Sequence, residues 1–302
     1  SMFWWMRKRG KFESPLKEDK SLPPLLQAEN IGEYKMKKFI RLFAADMRRA
    51  VFSRAFFFSA LGIAVLLYIA SYGHIRLTED GVPQNDVVEV VSLAFAGSSL
   101  STLTAGIIAL LPFGVSYAEE VTENSAPFLI IRSGIRSYAA SKYIAAMLSG
   151  FLVMVCGIYL YVLFLSTHLP VFSGAYTSGD NSGFDYFLYE GKPALYFLCF
   201  AAASGLSAAV CCGACVWIST LFPNRFTALI GPALLYLLLL RIYQGTPTPL
   251  PLQYSILNLV EYTYGMGSAL ATLGYKLLYI SVFAVPMGLN AAGNMRRRLQ
   301  NA

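Results

Sequence analysis

Residues 143–166 read YIAAMLSGFLVMVCGIYLYVLFLS, a stretch of 24 residues without a charged side chain. An α-helix needs about 20 apolar residues to cross the hydrocarbon core of a bilayer. Runs such as 64–69 and 234–240 are apolar on every side, which is typical of lipid-buried helices and not of the alternating pattern of a membrane β-strand. The sequence therefore predicts α-helices that span a membrane.

Outward from this stretch, similar runs recur along the whole chain. The composition agrees, because 56% of the 302 residues are hydrophobic and only 14% are charged, against about 25% charged in soluble domains. We predict an all-α integral membrane protein with six transmembrane helices, at 55–73, 99–118, 143–166, 194–217, 227–243 and 272–293. The second span could start earlier and tilt, or could follow a short interfacial helix, because 90–118 is one long run without an ionised side chain.

The orientation follows from the basic residues, which concentrate on the cytoplasmic side of short loops. With six spans, residues 1–54, 119–142, 218–226 and 294–302 lie on one side and hold 20 of the 24 Lys and Arg residues. We therefore predict that both termini are cytoplasmic. The positive net charge of the chain is then a consequence of topology. We expect its basic residues to contact lipid headgroups and not nucleic acid.

Five cysteines lie inside the predicted spans, three of them clustered as Cys211, Cys212 and Cys215. A metal site is disfavoured, because the two histidines of the chain are predicted on the outer side, far from this cluster. We predict neither a disulfide framework nor a metal. The small residues around the cysteines predict a close-packing face on the fourth span.

The N-terminal region divides at about residue 35. Ser1-Met2 is expected to be a cloning scar, and residues 1–35 are predicted to be a loosely ordered cytosolic extension before a transmembrane domain over 36–302. Residues 36–54 carry an apolar stripe at helical spacing, with cations on the other faces. This pattern predicts a helix lying in the inner membrane interface.

The connection 119–142 is charged at both ends and apolar in the middle. Pro127 suits the first turn of a helix and Gly134 suits its end, so we predict a short cytosolic helix at about 126–133. Its apolar residues would need a cover, either a membrane surface or a partner protein. The side chains in question are Phe128, Leu129, Ile130 and Ile131.

The outer connection 244–271 is also more apolar than a solvated turn. Apolar and aromatic side chains surround its single charge, Glu261, among them Leu250, Leu252, Ile256, Leu257, Leu259, Val260, Tyr262 and Tyr264. Irregular backbone in a membrane must be buried in protein or line a cavity. We predict a partly re-entrant segment before span six.

This order of parts resembles the membrane subunit of bacterial type 2 ABC exporters, over about residues 36–302. The similar features are the basic elbow helix at 36–54, a short coupling helix between spans two and three, and a partly re-entrant segment before span six. Around the coupling helix, members tend to show an acid, a Ser/Arg turn and a lysine, similar to Glu120, 132–136 and Lys142. The departure is at 123–125, where many members have glycine.

The resemblance implies that the coupling helix fits a groove on a separate ATP-binding subunit in the bacterial cytoplasmic membrane. ATP and magnesium would be bound there, because this chain has no phosphate-binding P-loop and its cytosolic segments are short. A second membrane subunit, identical or paralogous, would complete the export path for an amphiphilic, lipid-linked or peptide-type cargo. The implied coupling residues are Glu120, Pro127, Phe128, Ile131, Arg132, Arg136 and Lys142, with Pro112, Phe113 and Tyr117 as possible path-lining residues.

Other functions stay open at this point. An intramembrane enzyme is disfavoured, because neither His74 nor His168 lies in a predicted span to act as a base. A secondary transporter or channel usually carries ionisable residues near the midplane, and the predicted spans carry none there. A sensor or assembly subunit is a further alternative. Glu120, Arg132, Arg136 and Lys142 could also be plain interfacial charges at helix ends.

Overall fold

The structure is a computed structural model that describes residues 24–79, 86–96, 99–173, 183–245 and 267–300. Over these residues it is all-helical, which confirms the all-α part of the predicted fold class. The helices are α1 (Pro24–Val51), α2 (Arg54–Glu79), α3 (Val87–Ala96), α4 (Ser99–Leu110), α5 (Ser116–Thr122), α6 (Ala126–Ser133), α7 (Ile135–Leu165), α8 (Tyr186–Tyr189), α9 (Pro193–Leu221), α10 (Arg225–Gly245) and α11 (Ala269–Gln300).

Four of these helices are long and apolar enough to cross a membrane. They are Arg54–Gly73 within α2, Ile135–Leu165, Pro193–Leu221 and Ala269–Arg298 within α11. Arg225–Leu238, the first part of α10, is apolar but shorter. Large apolar side chains such as Leu163 and Leu289 lie on the outside of the bundle, as expected for helices surrounded by lipid. The four helices indicate an integral membrane protein.

The predicted second span is not one continuous helix. It is divided between α4 and α5 by a turn at 111–115, and the separate short helix α3 precedes it. The break is at Pro112 and Gly114, and a Cβ at Gly114 would lie 2.8 Å from the carbonyl oxygen of Leu110 and 3.3 Å from Cys215 Sγ. The chain can therefore turn here only because Gly114 has no side chain.

Loops and helix ends gather at two opposite ends of the bundle. At the first, which we name the α6 end, Arg225 of α10 donates to Glu123, next to α5, and Arg298 of α11 donates to the carbonyl of Leu221 of α9. The segments predicted on the cytoplasmic side lie here, as far as the structure describes them. At the other, the α8 end, the Val87 amide donates to the Pro170 carbonyl and the Ala269 amide to the Tyr186 hydroxyl.

The middle of the bundle packs closely around α9, as the sequence predicted. All five cysteines have free thiols. Cys211 and Cys212 of α9 lie over glycines of neighbouring helices, so that a Cβ at Gly106 would meet Cys211 Sγ at 3.6 Å and a Cβ at Gly150 would clash with Cys212 Sγ. The three clustered cysteines are thus packing residues in a small-residue interface.

Helix α1 starts earlier than the predicted elbow. It begins at Pro24, a residue type favoured in the first helical turn, so the predicted boundary at residue 35 lies inside a helix. The expected cloning scar at Ser1-Met2 lies outside the described residues. So does most of the segment predicted to be re-entrant, since the structure describes the chain up to 245 and again from 267.

Candidate functional site

The short helix α6 has the bounds that its sequence predicted. Ser125 precedes it, Pro127 lies in its first turn, and Gly134, whose φ is +82°, follows its last residue Ser133. The Gly134 amide donates to the Ile130 carbonyl at 2.7 Å. A positive φ is readily adopted only by glycine, so Gly134 allows the chain to leave α6 and enter α7 at once.

One face of α6 is open and the other is covered by the chain itself. Phe128 is 74% exposed and Ile131 is 80% exposed. Ile130, in contrast, is buried in a core cluster with Tyr138 and Met295, and Leu129 is half-buried against the same cluster. The prediction that all four apolar residues need an external cover was therefore wrong for Ile130, because α6 is amphipathic at helical period.

The outward residues form one continuous surface, which we name the α6 face. Residues at spacings of three and four are neighbours on one side of a helix, and such spacings link Phe128 to Ile131, Pro127 to Ile131 and Phe128 to Arg132. The α6 face consists of Pro127, Phe128, Ile131 and Arg132, all of them exposed. Arg136, in the first turn of α7, is also exposed. The face thus combines an apolar centre with a basic edge.

Beneath α6 lies a buried ionic cluster of Asp46, Glu120 and Lys142. Lys142 of α7 is 1% exposed. Its Nζ donates to Asp46 Oδ1 of α1 at 2.9 Å and to Glu120 Oε1 of α5 at 2.6 Å. One ammonium group therefore joins carboxylates from two other helices. Glu120 and Lys142, predicted as coupling residues, are brought together, and their burial does not fit plain interfacial charges.

Neighbouring polar groups satisfy the remaining oxygens of the cluster. Tyr138 donates to Glu120 Oε2 at 2.5 Å and Ser141 donates to Asp46 Oδ2 at 2.6 Å. The ring of Phe113 lies below the ammonium, with Nζ 4.8 Å from its centroid. Buried charges are tolerated when their partners and hydrogen bonds are complete, and loss of one partner leaves an uncompensated charge. The cluster therefore fixes the mutual orientation of α1, α5 and α7.

Glu120 also connects this cluster to α6 through its backbone. The Glu120 carbonyl accepts from the Ser125 amide at 2.9 Å and from the Ser125 hydroxyl at 3.2 Å. Ser125 is the residue that precedes α6. Ser125 thus provides one direct connection between α6 and the cluster.

A second, exposed ionic link joins the same corner to α10. Arg225 Nη2 lies 3.0 Å from Glu123 Oε1, and Arg225 Nη1 lies 3.8 Å from Glu119 Oε1. All three side chains are between 42% and 63% exposed. Exposed ion pairs are weak and screened by salt, so the Arg225 pairs stabilise the structure less than the buried pairs of Lys142 do.

The residues predicted to line a path lie next to the cluster. Phe113 and Tyr117 are buried in the core at the α6 end, and Pro112 is half-buried. Tyr117 lies with its ring 6.5 Å from that of Tyr138. Their role in a path stays a prediction.

Sequence reasoning missed Asp46 and Tyr138. Asp46 could have been noticed, since it is the one acidic residue among the cations of 36–54. A carboxylate that is buried against protein indicates a partner of opposite charge. Nothing local indicated that the partner lies 96 positions further along the chain.

Comparisons with protein-family models, curated proteins and solved structures found no match to this chain. Among the described residues, no group of three or more His, Cys, Asp or Glu side chains is arranged to hold a metal ion. The function must therefore be argued from the α6 face and the buried ionic cluster.

Proposed function

We propose that this chain is the membrane-spanning permease subunit of an ABC transporter that exports an amphiphilic, lipid-linked or peptide-type cargo. The α6 face is the contact for a separate ATP-binding subunit. ATP and magnesium are bound and hydrolysed on that partner. A second membrane subunit, identical or paralogous, completes the translocation path.

The observation that carries the proposal is an exposed apolar helix on a rigid support. Phe128 and Ile131 are exposed at an end of the bundle, where a helix face of this kind suits a groove on a partner protein. A docking helix that only bound a partner would need no ionic support. Here the cluster at Lys142 joins α1, α5 and α7, and Ser125 links α5 to the start of α6, so that movement of α6 is passed to a candidate membrane span.

The topology that fits this function has six spans with both termini on the cytoplasmic side. The fifth span is α10 and the second is the broken segment α4–α5. Two contacts at the α6 end support this arrangement. One joins the α5–α6 corner to the start of α10, and the other joins the end of α9 to the end of α11. The basic residues of that end are those that face the cytoplasm of a bacterial cell membrane.

The direct test is the composition of the native complex. We expect that the chain, purified from its own cells in mild detergent, carries a stoichiometric soluble subunit with a phosphate-binding P-loop, identified by mass spectrometry. Isolation of the chain repeatedly without such a subunit would contradict the proposal. That result would favour a secondary transporter, a channel or a sensor subunit.

A further inference from the structure

The buried ionic cluster attaches a further element, helix α1, to the coupling site. Asp46 and Arg49 are three residues apart on α1 and therefore share one of its faces. Asp46 pairs with Lys142 of α7, and Arg49 Nη1 lies 3.8 Å from Glu120 Oε1 of α5. Helix α1 thus presents one anion and one cation, and each meets the opposite charge on a different helix.

The apolar residues of this part of α1 pack in the same direction. Ala50 is fully buried, and Phe43 and Met47 are half-buried against the core at the α6 end. A helix that only rested on the membrane surface would not bury Asp46, because desolvation of a carboxylate is costly unless it is paired. Burial of Asp46 therefore requires a fixed orientation of α1 against α5 and α7.

A continuous series of short contacts leads from α6 to α1. Ser125 donates to the Glu120 carbonyl at 2.9 Å. Lys142 Nζ bonds Glu120 at 2.6 Å and Asp46 at 2.9 Å. Each link is a hydrogen bond of ordinary or short length, and the last one is the attachment of α1.

We propose that α1 is a moving part of the transporter, and that Asp46 is a positioning residue which makes α1 follow the displacement of α6. The movement rests on the proposed function, because the partner subunit is what displaces α6. The attachment of α1 through Asp46 does not depend on that function. Helix α1 is then more than a membrane anchor, since its orientation reports the state of the partner.

Electron paramagnetic resonance distances between pairs of nitroxide labels can test both statements. One pair joins exposed α1 to α9, a helix outside the cluster, through Ala45→Cys and Leu198→Cys. A second pair joins the α5–α6 corner to the same reference, through Thr122→Cys and Leu198→Cys. The chain without introduced cysteines is the labelling control. The complex with its co-purified ATPase is measured without nucleotide and after trapping with ATP and vanadate.

With Asp46 present, we expect both distances to change on trapping by about 2 Å, the size of typical helix shifts. In Asp46→Asn, the α5–α6 distance should still change, whereas the α1 distance loses its change and its distribution broadens. Asp46→Glu, which keeps the charge, should restore the response. Glu190→Gln, which neutralises an exposed ion pair at the α8 end, is the matched control and should alter neither distance.

The inference is overturned if α1 keeps its narrow distribution and its nucleotide response in Asp46→Asn, or if α1 does not move in the parent complex. If Asp46→Asn does not accumulate as folded protein, Arg49→Gln is measured in its place. It removes the weaker pair between α1 and Glu120, and the α1 distance distribution should broaden by a smaller amount. If no ATPase co-purifies, the proposed function fails by itself. The attachment is then judged on the chain alone, and an unchanged α1 distribution in the variant overturns it.

Discussion

The two ends of the bundle are held together by different chemistry. At the α6 end, Lys142 is buried between two carboxylates from other helices. At the α8 end, Asp86 is buried as well, but its oxygens accept from the backbone amides of Glu89 and Ser173. A cap of this kind fixes a helix start and a loop, whereas the cluster fixes three helices relative to one another. The fixed arrangement of three helices at the α6 end is what the proposed transmission of force would require.

The largest expected effect comes from removal of the central cation. Lys142→Ala leaves Asp46 and Glu120 buried without their ammonium, so the free energy of unfolding should fall by about 3–5 kcal/mol. A denaturant titration of the purified protein in detergent measures this loss. Lys192→Ala, which removes a 57% exposed lysine at the α8 end, is the control and should change stability by about 0.5 kcal/mol or less. Equal effects for the two lysines would remove the contrast between the ends.

An intermediate effect is expected at the α8 end. Asp86→Ala removes the cap of α3 and the acceptor for Ser173, which should cost about 1–2 kcal/mol. Hydrogen exchange should accelerate at residues 87–89 and 171–173 while the α6 end stays protected. Asp86→Asn keeps one oxygen acceptor and should lose less. Faster exchange at α6 in Asp86→Ala would show that the two ends are not independent.

The smallest effect should come from the exposed link at the α6 end. Arg225→Ala removes pairs with Glu119 and Glu123 that water and salt already weaken, so its cost should be about 1 kcal/mol or less. The difference from the parent should vanish near 1 M salt, where the screening length is about 3 Å. The loss caused by Lys142→Ala should persist at the same salt concentration. A salt-sensitive Lys142 effect would mean that water enters the cluster.

The bounds of α6 could be predicted from the sequence because local signals set them. Pro127 and Gly134 restrict the backbone on their own, whatever the rest of the chain does. The apolar helices could be predicted for a similar reason, since length and composition are local quantities. Pro112 and Gly114 carried a comparable signal for the break between α4 and α5, which the high apolar content of 99–118 concealed.

The candidate site could be predicted only in part. The family resemblance predicted Glu120 and Lys142 as coupling residues. Their burial and mutual contact depend on how α5, α6 and α7 pack, which the sequence does not give. Asp46 could not be placed, because its partner comes from a helix far along the chain and periodicity gives no information on which helices meet. Likewise, burial of Ile130 follows from the core beneath α6 and not from its own segment.

Binding of the proposed partner subunit to the α6 face can be measured by a quantitative pull-down. The parent chain is compared with Phe128→Asp/Ile131→Asp and with Tyr189→Asp, which changes an exposed aromatic residue of α8 at the opposite end. We expect the double variant to insert and fold normally but to lose the ATP-binding subunit, while Tyr189→Asp retains it. Undiminished recovery of that subunit with the double variant would contradict the account.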